Sequence, residues 1–289
     1  MENKSPTTYQ EQIEILRKRG CEIINESSAI AFLKRVNYYR FTGYLVAYKQ
    51  PDGMYNDDLT FERVASICVF DHEIRALILK AVGGIEILVK SIIAYHHGHE
   101  YGALGYINAD NFNEKHDHER FIEKFNGVIQ NNINSLFVRH HIKQYGGKFP
   151  IWTATELFTM SMTSIFYADL KTTDKKVIAT EFNTDYPHLE SWLHSASVLR
   201  NICAHHNRLY NIRFHQNPKL PKTYINHIGV GVYSLFKQLC VLKLLHSNLR
   251  DEWNNAFILP LSALIEKYTN DINVETMGFP NTWEIILRW

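Results

Sequence analysis

Apolar residues recur with a helical period across residues 60–97, and this pattern constrains the fold more than any other feature of the chain. Their spacing of three and four residues, rather than strict alternation, predicts one long helix that Gly83-Gly84 would bend or break. No stretch shows several alternating strands. The predicted fold class is therefore all-α, without internal repeats. The apolar positions of the long segment are Phe61, Val64, Ile67, Cys68, Ile74, Leu77, Ile78, Val82, Ile85, Ile87 and Leu88.

Shorter helices are predicted on both sides of this segment. Residues 98–118 are predicted to form a polar, His-rich connection, and residues 171–176 are predicted to form a polar turn. Trp283 and Trp289 are predicted to pack with residues 277–280 as an aromatic clasp. Pro260 is expected to kink or interrupt the last long helix. The other predicted helices cover residues 9–19, 27–36, a stretch around 121–129, 152–166, 192–210, 230–249 and 253–268.

Charge is distributed unevenly, although the formal net charge of the 289 residues is only +1. Between Glu190 and Asp251 there is no acidic residue, while eight lysines and arginines occur there. Such a segment indicates a polyanionic partner, and RNA is the partner we expect. Within this segment we expect Arg208, Arg213, Lys219 and Lys222 to contact RNA. Outside it we expect an RNA contact from Arg40, which lies in the aromatic segment 37–44.

The four cysteines are widely spaced, and the chain has neither a CxxC pair nor a secretory signal at its start. No apolar run approaches the roughly 18 residues that span a bilayer. These features predict reduced thiols, a cytoplasmic protein and no membrane insertion.

The most reactive set of side chains lies in residues 199–211. On a continuing helix, Asn201, His205 and Arg208 would share one face, with Arg200 beside it. An imidazole exchanges a proton near neutral pH, and a guanidinium binds phosphate through paired donors. The 2′-hydroxyl of RNA supplies the nucleophile, so the predicted chemistry is phosphoryl transfer without a metal or other cofactor.

The segment Arg200-Asn201-(three residues)-His205 resembles the Arg-(four to six residues)-His motif of HEPN ribonucleases. The wider pattern is similar to the Abi (abortive infection) family of bacterial phage-defence proteins. The resemblance spans nearly the whole chain. Its landmarks are Asn37-Tyr38-Tyr39-Arg40 with Gly43-Tyr44, Phe70-Asp71 with Arg75 and Glu86, Pro150-Ile151-Trp152, Trp192, Leu199-Arg200-Asn201, Ala204-His205-His206 with Arg208-Leu209, and Gly278-Phe279-Pro280.

This resemblance implies a HEPN-like helical bundle with additional N-terminal and C-terminal helices in a single domain. Residues 1–58 would supply the N-terminal helices and aromatic segment, 59–250 the core, and 251–289 the C-terminal helix and clasp. It further implies a homodimer with a composite ribonuclease site, toxin-like growth arrest and a small non-coding RNA partner. One position departs from many family members, which carry Arg where this chain has Lys90, and lysine lacks bidentate geometry.

The predicted catalytic residues are Arg200 for the scissile phosphate, Asn201 for orientation and His205 for proton transfer. His206 is the alternative reactive histidine, and Glu86 is a further candidate that would orient the arginine. Asp71 and Arg75 are predicted to form a structural ion pair. The cluster His96, His97 and His99 is interpreted as surface, with no metal site. A rival hypothesis is a non-catalytic RNA-binding protein that holds a structured non-coding RNA.

Overall fold

A computed structural model describes residues 5–56, 58–225 and 233–289, and within these ranges it contains helices and isolated bridges but no strand. The all-α prediction is confirmed. The helices are α1 (Tyr9–Lys18), α2 (Glu26–Arg35), α3 (Tyr38–Leu45), α4 (Phe61–Tyr101), α5 (His118–Asn131), α6 (Leu136–Tyr145), α7 (Ile151–Leu157), α8 (Met160–Asp169), α9 (Thr172–Thr180), α10 (Tyr186–Ala204), α11 (Lys222–Ile225), α12 (Leu235–Leu245), α13 (Arg250–Trp253), α14 (Leu259–Lys267) and α15 (Trp283–Leu287).

Helix α4 is the centre of the fold and is continuous over 41 residues. Its buried side chains recur every three or four positions from Phe61 to His97, so one face of the helix is covered along its length. Gly83-Gly84 does not break it. Val82 and Ile85 are both fully buried on either side of the glycines, and this packing offsets the cost of about 1 kcal/mol that each helical glycine carries.

The remaining helices cover α4 on several sides. Helices α3, α7, α8, α9, α10, α12 and α14 all contact it, and α10 also packs against α8, α9 and α12. The apolar side chains of the N-terminal, central and C-terminal parts of the chain belong to one core. Helix α10, which carries the predicted catalytic residues, is therefore held against α4 and α8.

Two connections predicted to be polar are partly helical and buried. The predicted turn at 171–176 lies mostly within α9, where Lys175 is buried and its Nζ donates hydrogen bonds to Glu190 Oε2 and the Ala168 carbonyl, both at 3.0 Å. Helix α4 extends into the predicted His-rich connection and ends at Tyr101. The predicted turn was wrong because tertiary packing, which local composition does not record, buries Lys175. The predicted connection is present over residues 102–117 but begins four residues later than expected.

Other helix boundaries differ from the sequence pattern in specific ways. The predicted helix 152–166 is divided at Phe158-Thr159, because the Thr159 hydroxyl accepts the Met162 N–H and caps α8. Helix α6 was not predicted. Between α13 and α14 the chain forms a π-helix at Asn254–Ile258, just before Pro260, where an interruption was expected. The predicted helix 230–249 is observed as α12, and its residues 230–232 lie outside the described residues.

The C-terminal aromatic residues close over α12 and α13. Phe279 is buried against Phe236 with ring centroids 5.1 Å apart, and the Trp253 indole N–H donates to the Leu287 carbonyl at 2.7 Å. Gly278 has φ of +87°, and a Cβ at this position would overlap Ser234. Only glycine therefore fits this turn without displacing the helix beneath it.

Across the described residues, the chain has no helix with the length and apolar character needed to cross a membrane.

Candidate functional site

Helix α10 ends at Ala204, six residues earlier than the predicted continuous helix to Tyr210. His205 is the C-cap, and His206 adopts a left-handed conformation with φ of +56°. The N–H of His206 donates to the Cys203 carbonyl at 3.1 Å, and the N–H of Asn207 donates to the Ile202 carbonyl at 2.9 Å. This pair of bonds is the Schellman motif, with a histidine at the position where glycine is most common.

The turn removes Arg208 from the helix face that the sequence predicted. Asn201 and His205 remain one helical turn apart, since the His205 N–H donates to the Asn201 carbonyl at 3.0 Å. Arg208 lies beyond the left-handed residue, and its guanidinium carbon is 5.7 Å from the centre of the Tyr44 ring. The sequence predicted that the side chains of Asn201, His205 and Arg208 share one helix face. This prediction is wrong for Arg208.

Asp71 on α4 holds the chain that follows this turn. Its Oδ1 accepts the backbone N–H of Leu209 at 2.9 Å and that of Tyr210 at 2.6 Å. A buried carboxylate that receives two backbone donors fixes the direction of a segment. These bonds draw residues 209–210 onto α4 and stop α10 from continuing.

The other oxygen of Asp71 completes a buried polar network. Asp71 is fully buried, and its Oδ2 accepts hydrogen bonds from the Tyr44 hydroxyl at 2.7 Å and from the Arg75 guanidinium. The Asp71–Arg75 ion pair predicted from their four-residue spacing is present. Burial and the adjacent Asp71 carboxylate raise the pKa of Tyr44, so that its phenol stays protonated as a donor.

Two arginines contact the carbonyls that follow the end of α10. Arg40 on α3 donates to the His206 carbonyl, and Arg75 Nη1 donates to the Asn207 carbonyl at 3.4 Å. A helix C-terminus carries partial negative charge and orphan carbonyls, so guanidinium groups are favourable there. Arg40, which the sequence assigned to RNA contact, thus also helps to fix the histidine turn.

Arg200 lies next to two polar side chains on the last turns of α10. Its Nε is 3.8 Å from Glu86 Oε2, and its Nη1 donates to Asn201 Oδ1 at 3.4 Å. The other carboxylate oxygen of Glu86 pairs with Lys90 Nζ at 2.9 Å. Asn201 in turn donates to the Ser161 hydroxyl on α8 at 3.0 Å. Ser161 carried no sequence signal, because only the packing of α8 against α10 brings it to this position.

His205 and His206 are both exposed, and none of the hydrogen bonds among the described residues involves either imidazole ring. The Arg200 side chain retains 35% of its exposure, so its guanidinium can still reach a ligand. Cys203, in contrast, is fully buried, and burial raises the pKa of its thiol to about 12. A thiolate nucleophile is therefore not available in this segment.

The predicted RNA-binding residues do not form one cluster. The Lys219 carbonyl accepts the Trp192 indole N–H at 2.7 Å, which places this part of the chain beside an early turn of α10, about 12 Å along the helix from Arg200. Arg213 is exposed beside Tyr233, and Lys222 begins α11. Lys243, one of the eight cations, is buried with its Nζ bonded to the Ile286 carbonyl at 2.7 Å. It cannot contribute to a surface for polyanions.

No group of three or more His, Cys, Asp or Glu side chains in the described part of the chain is arranged to hold a metal ion. Within the histidine cluster, His97 is not on the surface as predicted. It is 3% exposed and packs against Tyr101, Phe112 and Phe166, with both ring nitrogens lacking hydrogen-bond partners. Burial lowers its pKa to about 4.

A family model described as Abi-like protein matches residues 31–211, which is more than half of the chain. The match includes the Asp71 network, Glu86 and the whole histidine turn. The chain therefore belongs to the Abi-like protein family. Membership implies a role in abortive infection, a bacterial defence against phage. Comparison with curated proteins and with solved structures gave no significant match.

Proposed function

We propose that this protein is a metal-independent endoribonuclease of the HEPN type that acts in abortive infection. The observation that supports the proposal most strongly is the placement of Arg200 and His205 at the end of α10, where both are accessible and Glu86 and Asn201 contact the Arg200 guanidinium. A guanidinium that binds phosphate and a free imidazole can supply the charge stabilisation and the proton transfer that RNA transesterification requires. The alternative, RNA binding without cleavage, would need the basic surface but not the exposed imidazole.

In the proposed reaction, the 2′-oxygen of the substrate attacks the adjacent phosphorus while the bond from phosphorus to the 5′-oxygen breaks. The 2′-hydroxyl proton passes to a base, and an acid protonates the leaving 5′-oxygen. Arg200 stabilises the charge that develops on the phosphoryl oxygens, and Glu86 and Asn201 orient this arginine. The products are a 2′,3′-cyclic phosphate and a 5′-hydroxyl end.

The reaction uses both a base and an acid, and one chain offers His205 together with the exposed His206 of the same turn. A two-fold contact between copies would add the same groups from a second chain. Two apolar side chains near this region are exposed: Ile87, beside Glu86, is 72% exposed, and Ile165, one turn along α8 from Ser161, is 49% exposed. Exposed apolar groups of this size favour a protein contact, and we assign this face to self-association.

Self-association is tested by sedimentation of the wild type and of Ile87→Lys. The variant is expected to sediment as a monomer and to lose cleavage. Ile24→Lys is the matched control, because Ile24 is 70% exposed on another part of the surface. A wild type that is monomeric with RNA present, or an Ile87→Lys variant that remains a dimer, would contradict the assignment.

The activity itself is tested by incubating purified protein with end-labelled single-stranded RNA in EDTA. Wild type is expected to produce cyclic phosphate ends, while Arg200→Ala should produce none. Arg120→Ala serves as the control, because Arg120 is exposed near the start of α5. Retention of RNA without cleavage by the wild type would instead favour the non-catalytic hypothesis, in which the protein holds a structured non-coding RNA.

A further inference from the structure

Helix α6 and the residues around it form a second acid-free segment, outside residues 191–250. Residues 124–155 contain no aspartate or glutamate, but they contain four lysines and arginines, two histidines and six carboxamide side chains. The cations are Lys124, Arg139, Lys143 and Lys148. None of the ion pairs among the described residues includes any of the four.

Only a small part of α6 is used to attach it to the fold. Val138 is fully buried, and the His141 ring stacks on Phe149 with centroids 5.2 Å apart. Gly146 and Gly147 both have positive φ, at +59° and +76°, and turn the chain from α6 back to buried Phe149. The helix is thus fixed at both ends while most of its surface faces solvent.

The face of α6 opposite Val138 combines cationic and polar side chains with Leu136, which is 78% exposed. Helical spacing places Arg139, His140, Lys143 and Gln144 on this side, and all four are exposed. Arg139 and Lys143 are four residues apart, a like-charge pair that destabilises a helix unless an anion lies beside it. An unpaired row of cations of this kind favours a polyanionic partner.

Carboxamides extend this surface along the end of α5 and the loop that follows. Asn126, Gln130, Asn131 and Asn134 are exposed, and amides of this type donate to phosphate oxygens and to base edges. We propose that α6 and the adjoining end of α5 form an RNA-binding surface, separate in the chain from residues 191–250. This inference rests on the proposed function, since it assigns a further contact for the same class of substrate.

The test compares binding of a fluorescent single-stranded 2′-O-methyl RNA at several salt concentrations. This RNA keeps its phosphates but lacks the hydroxyl that attacks, so binding is measured without cleavage. The variant Arg139→Gln/Lys143→Gln/Lys148→Gln should bind on the order of tenfold more weakly, and its slope of log affinity against log salt should fall by about 2. Glutamine retains helix propensity, and circular dichroism melts check that the variant is folded.

The control variant is Lys18→Gln/Lys80→Gln/Lys115→Gln, which removes the same charge from exposed positions elsewhere. Equal affinity and equal salt slope for the two variants would overturn the α6 surface. A change of oligomeric state in the α6 variant, measured by light scattering, would also overturn it and assign α6 to a contact between copies. Cleavage of unmodified RNA by the wild type is measured in parallel. Absence of this cleavage would contradict the proposed ribonuclease function, whereas the binding comparison alone tests the α6 surface.

Discussion

The carboxylate of Asp71 accepts the backbone N–H of Tyr210 at 2.6 Å, across a sequence separation of 139 residues. This bond and its neighbour to Leu209 connect the central helix to the segment that follows the two histidines. The direction of the chain after His205 is therefore set by a buried acid on α4. The consequence is a short exposed turn in place of a longer helix.

Asp71→Asn is expected to destabilise the fold by about 3–5 kcal/mol, because it leaves the Arg75 guanidinium buried without a charged partner. Arg75 is only 4% exposed. Chemical denaturation measures the loss, and amide hydrogen exchange at Leu209 and Tyr210 should become faster. The double variant Asp71→Asn/Arg75→Met should be less destabilised than Asp71→Asn alone. A loss below about 1 kcal/mol for the single variant would contradict the role of this network.

Glu86→Gln is expected to reduce RNA cleavage by about tenfold at temperatures where the variant is folded, and also to lower the melting temperature, because Lys90 loses its charged partner. The substitution removes the charge that faces Arg200 Nε at 3.8 Å, so the guanidinium loses its orientation. Glu100→Gln is the matched control, since Glu100 is exposed at the end of the same helix. Equal cleavage rates for the two variants would show that Glu86 does not position the arginine.

His97→Leu should make stability less dependent on pH. Burial lowers the pKa of His97 from 6.5 to about 4, so below pH 6.5 the unfolded chain binds a proton that the folded chain does not. The contribution of His97 to the free energy of unfolding is therefore fully present above pH 6.5, and it decreases as the pH falls towards 4. The loss of unfolding free energy between pH 7 and pH 5 should be smaller by about 2 kcal/mol in the variant.

His246 remains in both proteins of that comparison. Burial lowers its pKa as well, so its contribution cancels. Denaturation curves at the two pH values give the difference. If wild type and variant lose the same unfolding free energy between pH 7 and pH 5, His97 is not buried in its neutral form.

Gly278→Ala should destabilise the C-terminal clasp by about 3 kcal/mol, because the new Cβ overlaps Ser234 and the backbone keeps a positive φ. Gly127→Ala on α5 is the control. A Cβ at Gly127 has no neighbour within 4 Å, and alanine in a helix should stabilise the fold by about 0.5–1 kcal/mol. The same substitution is thus expected to lower stability at Gly278 and to raise it at Gly127, and thermal melts measure both changes. Equal effects would contradict the close approach at Gly278.

Local pattern was sufficient to predict the helical class and most of α4, because a regular apolar stripe depends only on neighbouring residues. The end of α10 could not be predicted in this way. The turn carries no glycine or proline at His206, and the group that stops the helix, Asp71, lies far away in sequence. Ser161 as the partner of Asn201, and the burial of His97 and Lys175, likewise depend on helices that meet only in the folded chain.

The central proposal is that His205 transfers a proton during RNA cleavage. The most direct measurement is the rate of cleavage at saturating protein, in EDTA, for wild type and His205→Ala, with affinity for 2′-O-methyl RNA measured alongside. His194→Ala is the control, because His194 is an exposed histidine on the same helix. His205→Ala should lose about a hundredfold or more in rate with little change in affinity, and the control should behave as wild type. Equal cleavage by His205→Ala and wild type would contradict the proposal.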